Sequence, residues 1–586
     1  MSASKPTPKR SAVLVVHGMG SQRPLDTVRG VVTAIWRDQK TNKVWFHPEP
    51  TGTDIDLTVI TTSQIPGAGK KRADFHELYW AHLLSETRAV AVLLWLFQLV
   101  RMGPQLNPRM RYLWWGGATF LALLVLSASF LVLQGIEKLS DAASERHALL
   151  IAPVLMVAIA LGLTLLLSIR NHTSRFSAFV IGILGKFLLG IGALAAATAI
   201  ILVVLHWLGC APEEGVLIGG LKTVTMFLLP LGAAAVACKI LMGDHWGRPL
   251  LIVYGGAIVF FLIYAGFLWI VGQSTTEAVC NGWVPWSLAS QWTAVAAWVT
   301  IALYLAANAA FLTPYLGDAA RYFRNSPANI VGRREIRKQA VDTLAYLHDC
   351  GKYDRIVVVA HSLGTVVAYD MLRAYFSRIR NDLPDAAHLG PEIGELDQGI
   401  ESRDLARIKA RAVIANMAGI AQQKTDTGPG SKVWLVTDFV TLGSPLTHAE
   451  YLMCRGNSKS ELERDLDRRR EEREYPTCPP DKIDGDGWLT KNASGRQFHH
   501  GAVFGLTRWT NIYFPMSELL WGDAIGGPVG SVNGQRLFGD HVLDVEVSTH
   551  SDGRPDFFAH TKYWDTESGL EPHIVALKDA INLADK

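Results

Sequence analysis

A serine between small residues is the feature of this sequence that most directly suggests chemistry. The stretch Ala360–Gly364 reads Ala-His-Ser-Leu-Gly, after the β-branched run "RIVVVA" and before the helical pattern "TVVAYDMLRAYF". A strand, a tight turn carrying serine and then a helix form a nucleophile elbow, which exposes the serine Oγ. The amides at the start of the helix can stabilise an oxyanion. The sequence therefore predicts that Ser362 is a nucleophile.

Two further stretches carry a family resemblance. "VLVVHGMGSQ" joins an apolar run to a His-Gly turn, and "FVTLGSPL" (Phe439–Leu446) ends another apolar run. Together with the serine turn, they resemble lipase- or esterase-type α/β-hydrolases over roughly residues 10–85 and 330–580. The first glycine of the usual serine motif is Ala360 here, which is still small. The resemblance implies an oxyanion hole formed by the amides of Met19 and Leu363.

A serine nucleophile needs a base, and the base needs an acid that orients it. The family's chain order is serine, acid, histidine. Asp523 lies in a glycine-rich loop after the predicted strand "WTNIYF", with Glu518 as a near rival and Asp438, inside a strand, as a weaker one. His560 follows the last predicted strand, "VLDVEVST", and the sequence around it resembles the "HxxYW" of lipase-like relatives. His550, directly past that strand, is its rival.

Other motifs that could bind a ligand are weak. "GAGKK" lacks the phosphate-loop frame, "DKIDGDGW" lacks calcium-loop spacing, and "FHHG" is interpreted as a pair of exposed histidines. His17 and His361 flank the expected pocket and are interpreted as structural. No metal or cofactor is expected. The net charge of +3 gives no reason to expect nucleic-acid binding.

The elements that must position these residues alternate between strand and helix. Short apolar runs before the His-Gly turn and before the serine turn are each followed by a helical pattern, and the order repeats towards the C-terminus. Such alternation is typical of a mostly parallel sheet with helices on both faces. The charged stretch "SKSELERDLDRRREERE" predicts a solvated helix, with a substrate lid as the alternative.

A long apolar region divides these two flanks. Six segments are each long enough to cross a bilayer, which needs about 20 helical residues. They are Tyr112–Gln134, Ala148–Ser168, Phe187–Leu208, Thr223–Met242, Leu250–Gly272 and Ser290–Leu312. The run 89–100 is shorter and predicts an interfacial helix. The predicted fold is therefore an α/β-hydrolase-like sheet interrupted by an all-α bundle of about six transmembrane helices. Its predicted domains are 1–88 and 317–586 for the hydrolase part and 89–316 for the membrane part.

The distribution of positive charge predicts where the flanks lie. Lys and Arg are more frequent before the first span, in alternate gaps and after the sixth span, and such segments stay cytoplasmic. Cys210 and Cys280 would then share the opposite side, where a disulfide and two free thiols are both possible. An even number of spans also returns the chain to its starting side, which lets the His-Gly strand and the serine strand join one sheet.

Two functions are consistent with these patterns. The first is a membrane-embedded serine hydrolase that faces the cytoplasm and cleaves an ester or acyl bond of a lipid or lipid-linked substrate. Its lipid substrate and its contacts with membrane lipids follow from the expected location alone. The second is a membrane sensor, scaffold or transporter whose hydrolase-like domain is regulatory or inactive. Covalent labelling of Ser362 distinguishes the two.

Overall fold

The computed structural model describes one part of the chain in detail. Described are residues 10–19, 23–36, 43–49, 57–66, 71–84, 322, 327–385, 388–389, 403–425, 432–449, 459–471, 489–492, 495–516, 521–530, 538, 542–550 and 552–584. The chain divides into two compact units: Met1–Val92, Asn107–Leu113 and Phe311–Lys586 form one, and Leu93–Leu106 with Trp114–Ala310 the other. All described residues belong to the first unit. The domain boundaries predicted from the sequence stay a prediction.

An eight-stranded sheet organises the described unit. In spatial order the strands run β10-β9-β6-β5-β1-β4-β3-β2. The strands are β1 (Arg10–Val16), β2 (Val44–Glu49), β3 (Leu57–Thr62), β4 (Ala73–Leu78), β5 (Tyr353–His361), β6 (Val436–Leu442), β9 (Arg508–Tyr513) and β10 (Val542–Glu546). A separate hairpin pairs β7 (Leu489–Asn492) with β8 (Gly495–Phe498).

Helices cover both faces of the sheet. They are α1 (Asp26–Trp36), α2 (Pro327–Asp349), α3 (Leu363–Ile379), α4 (Arg403–Thr425), α5 (Lys459–Glu471), α6 (Val503–Leu506) and α7 (Pro572–Ile581). Successive side chains of a strand point to opposite faces. Val13, Val15, Val357 and Val359 accordingly share one core with α1 and α7, whereas α2 and α3 pack together next to β5. The predicted solvated helix is present as α5.

The serine strand and the His-Gly strand are neighbours in this sheet. Strands β1 and β5 pair in parallel, with Val13 opposite Val357 and Val16 opposite Ala360. The expectation that the two distant flanks join one sheet is therefore confirmed. The pairing puts the carboxyl ends of both strands at one edge, where the His-Gly turn and Ser362 follow.

The sheet is mostly parallel, as predicted, and the correction concerns two antiparallel strands at one edge, which make the sheet mixed. Six neighbouring strands from β10 to β4 are parallel, but β3 is antiparallel to β4 and β2 is antiparallel to β3. Short connections cause this difference, because a short turn can only join antiparallel neighbours whereas a parallel pair needs a crossover. The edge strand β2 contains Pro48, which is tolerated where no partner needs its missing N–H.

The predicted bundle of about six transmembrane helices requires a second correction. No helix among the described residues is long and apolar enough to cross a membrane. The two longest, α2 and α4, have 23 residues each, but both carry charged side chains along their length. The six predicted spans, the helix at 89–100 and the cysteines Cys210 and Cys280 lie outside the described residues. The cytoplasmic location stays a prediction.

Candidate active site

Ser362 occupies the strained turn between β5 and α3. Its φ of 52° and ψ of −131° put it in a left-handed region that a non-glycine residue rarely adopts. Its N–H donates to the Leu442 carbonyl at 3.0 Å, which fixes the turn to β6. A Cβ on Gly364 would overlap the carbonyl oxygens of Val16 and His17. The second small position of the motif is therefore required by the close approach of α3 to the end of β1.

His560 lies beside the serine hydroxyl. Its Nε2 is 2.8 Å from Ser362 Oγ, and its Nδ1 is 2.9 and 3.0 Å from the two carboxylate oxygens of Asp523. The ring sits in a short 3₁₀ turn, Ala559–Thr561, that begins after Phe558 in a left-handed conformation. Because Nδ1 faces a carboxylate, it carries the proton, which leaves the Nε2 lone pair for the serine hydroxyl.

Asp523 accepts hydrogen bonds from three groups besides His560. The amides of Ile525 and Gly526 donate to Oδ1 at 2.8 Å each, and the Tyr563 hydroxyl donates to Oδ2 at 2.7 Å. Burial raises the pKa of this carboxyl, but the adjacent His560, the Gly526 amide and the Tyr563 hydroxyl together outweigh burial and lower the pKa to about 2. Asp523 is therefore ionised at neutral pH although it is fully buried.

Two glycines make room for this carboxylate. A Cβ on Gly443, at the end of β6, would lie 2.8 Å from Asp523 Oδ2 and 2.7 Å from the Tyr563 ring. A Cβ on Gly526 would lie 2.5 Å from the same Oδ2. The "TLGSP" and "GGP" stretches thus have glycine at positions where side chains would displace the acid.

The loops that carry Asp523 and His560 are joined by main-chain hydrogen bonds. The Gly522 N–H donates to the Asp556 carbonyl at 2.8 Å, and the Ala559 N–H donates to the Gly522 carbonyl at 3.1 Å. Trp521 and Phe557 form an isolated antiparallel bridge alongside. The two loops therefore hold each other, and the distance between Asp523 and His560 is fixed by backbone as well as by side chains.

The His-Gly turn lies against the elbow. A Cβ on Gly18 would lie 2.9 Å from Ser362 Cβ, so Met19, the next residue, is close to the candidate nucleophile. The amide of Leu363, the first residue of α3, has no acceptor within the helix. His17 anchors the turn: its Nε2 accepts from the Trp80 N–H at 3.0 Å, and burial lowers its pKa to about 4. Positioned this way, Met19 and Leu363 remain the candidate oxyanion residues.

The rival residues lie in other environments. Asp438 is held by Arg355 and Arg508 at the opposite edge of the sheet. His550 is exposed and pairs with Asp556 at 3.2 Å, and Glu518 lies outside the described residues. Of the acids and histidines considered for the triad, within the described part only His560 contacts the Ser362 hydroxyl, and only Asp523 contacts His560 Nδ1.

Sequence reasoning missed the roles of Tyr563 and of a buried hydroxyl pair. Thr365 donates to the Ser362 carbonyl at 2.7 Å, so Ser444 must donate to Thr365, 2.7 Å away. This pair ties the elbow to the end of β6. The "HxxYW" pattern already contained Tyr563, but its contact with Asp523 depends on a fold that brings residues 40 positions apart together.

Comparisons with known proteins add no family. No family model matches the chain, and neither a curated protein nor a solved structure matches it. Within the described residues, no group of three or more His, Cys, Asp or Glu side chains could hold a metal ion. The geometry of the site is therefore the feature of this chain that bears on its function.

Proposed function

We propose that this protein is a serine hydrolase that cleaves an ester or related acyl bond through an acyl-enzyme. One observation carries the proposal: Ser362, His560 and Asp523 form a continuous hydrogen-bonded chain of 2.8 and 2.9 Å at the carboxyl edge of the sheet. Each of the three follows a different parallel strand. Nucleophile, base and orienting acid in mutual contact are the arrangement that activates a serine hydroxyl.

The reaction follows from these positions. Ser362 Oγ attacks the acyl carbonyl carbon and gives its proton to His560 Nε2. The bond to the leaving group breaks, and His560 returns the proton to that group. Water then attacks the acyl-enzyme, losing a proton to His560, which passes it back to Ser362 as the acid leaves. Asp523 stabilises the charged imidazole in both steps, and the amides of Met19 and Leu363 stabilise the oxyanion.

The geometry of the site indicates the kind of bond that is cleaved, which is an acyl bond. A neutral nucleophile with a single base attacks esters and thioesters alike, and the described contacts do not select between them. The lipid substrate expected from the sequence rests on location alone. The proposal is therefore limited to carboxylic ester hydrolysis and its close chemical relatives.

Covalent labelling of the full chain tests this proposal. A fluorophosphonate probe should label wild type at Ser362, as located by mass spectrometry, and Ser362→Ala should abolish labelling and lower kcat on p-nitrophenyl acetate by about 10⁴-fold or more. Ser568→Ala, which changes an exposed loop hydroxyl, should label like wild type. Folded wild type that neither labels nor turns over ester would favour the regulatory or inactive domain.

A further inference from the structure

His361 is the last residue of β5, directly before Ser362, and it contacts the residue that acts as base in the proposed function. Its Nε2 is 2.9 Å from the His560 carbonyl oxygen. A carbonyl only accepts, so His361 carries its proton on Nε2. Its Nδ1 then holds a lone pair, is buried and has no hydrogen-bond partner in the described part of the structure. That atom lies beside Gly18, where a Cβ would be 2.8 Å away.

The His361 ring is enclosed by side chains of the segment that carries His560. Its centroid is 5.0 Å from the His560 ring and 5.7 Å from the Tyr563 ring, and the edge-on Trp564 indole is 4.8 Å away. Trp564 in turn fits against Gly30 of α1, where a Cβ would be 2.7 Å from the indole. The ring therefore has little room to move.

The His361 ring is also neutral. Burial, followed by the neighbouring His560, lowers the pKa of His361 to about 3. This matters because His560 takes a proton during the proposed reaction. A second cation at this distance would oppose that protonation, whereas a neutral donor supports the loop without adding charge.

We propose that His361 is a positioning residue for His560. Two consecutive residues hold the same histidine: Ser362 contacts its ring, and His361 binds its main-chain carbonyl. This two-point attachment fixes the turn Ala559–Thr561 against the nucleophile strand and keeps His560 Nε2 within hydrogen-bond distance of Ser362 Oγ. The inference rests on the proposed function of this site and adds a buried residue that acts through His560.

Two amide variants separate positioning from packing. Glutamine places its NH₂ near the position of the histidine Nε2, whereas asparagine reaches only to the position of Nδ1. With p-nitrophenyl acetate and the full chain, His361→Gln should keep kcat within about threefold, whereas His361→Asn should lose about 10- to 100-fold, because a small displacement of a catalytic group has that cost. KM should stay within about twofold in both. His361→Phe, which keeps the ring and lacks the donor, should behave like His361→Asn.

His573→Phe is the matched control. His573 is likewise buried and has its Nε2 2.8 Å from a carbonyl oxygen, that of Asp565. Removing this bond should lower the melting temperature and leave kcat unchanged.

Equal kcat in His361→Gln and His361→Asn, or an equal kcat loss in His573→Phe, would overturn the positioning role. If His361→Asn does not fold, wild-type kcat in His361→Phe would overturn it instead. An unlabelled wild type would reject the proposed function itself, because that measurement does not involve His361.

Discussion

Two buried aspartates lie at opposite edges of the same sheet and have different partners. Asp438 near the start of β6 and Asp523 after β9 are each about 1 % exposed, and the pKa of each carboxyl is lowered although burial acts to raise it. The partners of Asp438 are two guanidinium groups, which keep their charge at all pH values of interest. The main partner of Asp523 is a histidine, which can gain and lose a proton.

At the amino edge, where the parallel strands begin, Asp438 binds two arginines that connect the sheet to the C-terminal end of α7. Arg355 Nη2 is 2.5 Å from Asp438 Oδ2, and Arg508 pairs with Oδ1. Arg355 also donates to the carbonyls of Ile581 and Asn582 at 2.9 and 2.7 Å. These carbonyls belong to the C-terminal end of α7, where cations are favourable. The charged partners of Asp438 are guanidinium groups, which do not lose a proton at ordinary pH. This cluster therefore stabilises the fold and does not transfer protons.

At the carboxyl edge, where the parallel strands end, Asp523 supports the hydrogen-bonded chain to which the proposed function assigns the reaction. The bond from Asp523 leads through the His560 ring to a hydroxyl whose proton can leave. Equal burial and equal direction of the pKa change thus accompany different roles. The difference lies in whether the partner of the carboxylate can transfer a proton, and four predictions test it from the largest expected effect to the smallest.

Asp523→Asn should affect turnover and leave stability nearly intact. The amide oxygen, in the place of Oδ1, can still accept from the N–H groups of Ile525 and Gly526. The NH₂ group, in the place of Oδ2, would face His560 Nδ1 as a donor and force His560 into the tautomer whose Nε2 carries the proton and cannot accept one from Ser362. We expect kcat to fall by about 10⁴-fold, with a melting temperature close to wild type. Asp552→Asn, in an exposed loop, is the control. A loss of less than about tenfold would show that His560 does not depend on Asp523.

Asp438→Asn should have the opposite effect. Removing the charge leaves Arg355 and Arg508 buried without compensation, which typically costs about 3–5 kcal/mol of unfolding free energy. Urea unfolding measures the loss, and kcat per folded molecule should stay at the wild-type value. Reduced kcat at full folding would mean that the two edges are coupled.

The stability difference between wild type and Asp438→Asn should depend on pH in the acid range. The pKa of Asp438 is lower in the folded chain than its ordinary value of 3.8. Its stabilisation is therefore complete above that value and is lost as the pH falls towards the folded-state pKa. The stability difference between wild type and Asp438→Asn should shrink below about pH 4. A difference that does not change with pH would contradict the ion pairing.

The two edges also differ in how far the sequence predicts them. Ser362 was predictable because its signal is local: a β-branched strand, small flanking residues and a helix within about twenty positions. Asp523 and His560 were predictable as positions after strands that share an edge. The cluster around Asp438 was not, because it joins Arg355, Arg508 and the end of α7, and no short pattern marks such a contact.

Some strands and helices could also not be predicted from the sequence. The edge strand β2 contains Pro48 and exposes Trp45 and Phe46, so it lacks the alternation that marks a half-buried strand. Helix α4 was not assigned from the sequence. The antiparallel order of β2 and β3 depends on connection lengths, which hydrophobic patterns do not report.

The smallest expected effect concerns a second histidine–aspartate pair. His550 Nε2 and Asp556 Oδ1 are 3.2 Å apart, slightly farther than the 2.9 Å of the buried pair, and the His550 side chain is 54 % exposed. Water competes for both groups, and an exposed pair of this kind contributes at most about 1 kcal/mol. His550→Ala should therefore change unfolding free energy by less than that and kcat by less than twofold, whereas His560→Ala should remove activity. A tenfold loss of kcat in His550→Ala would reinstate it as a candidate base and would mean that burial is not what separates the two pairs.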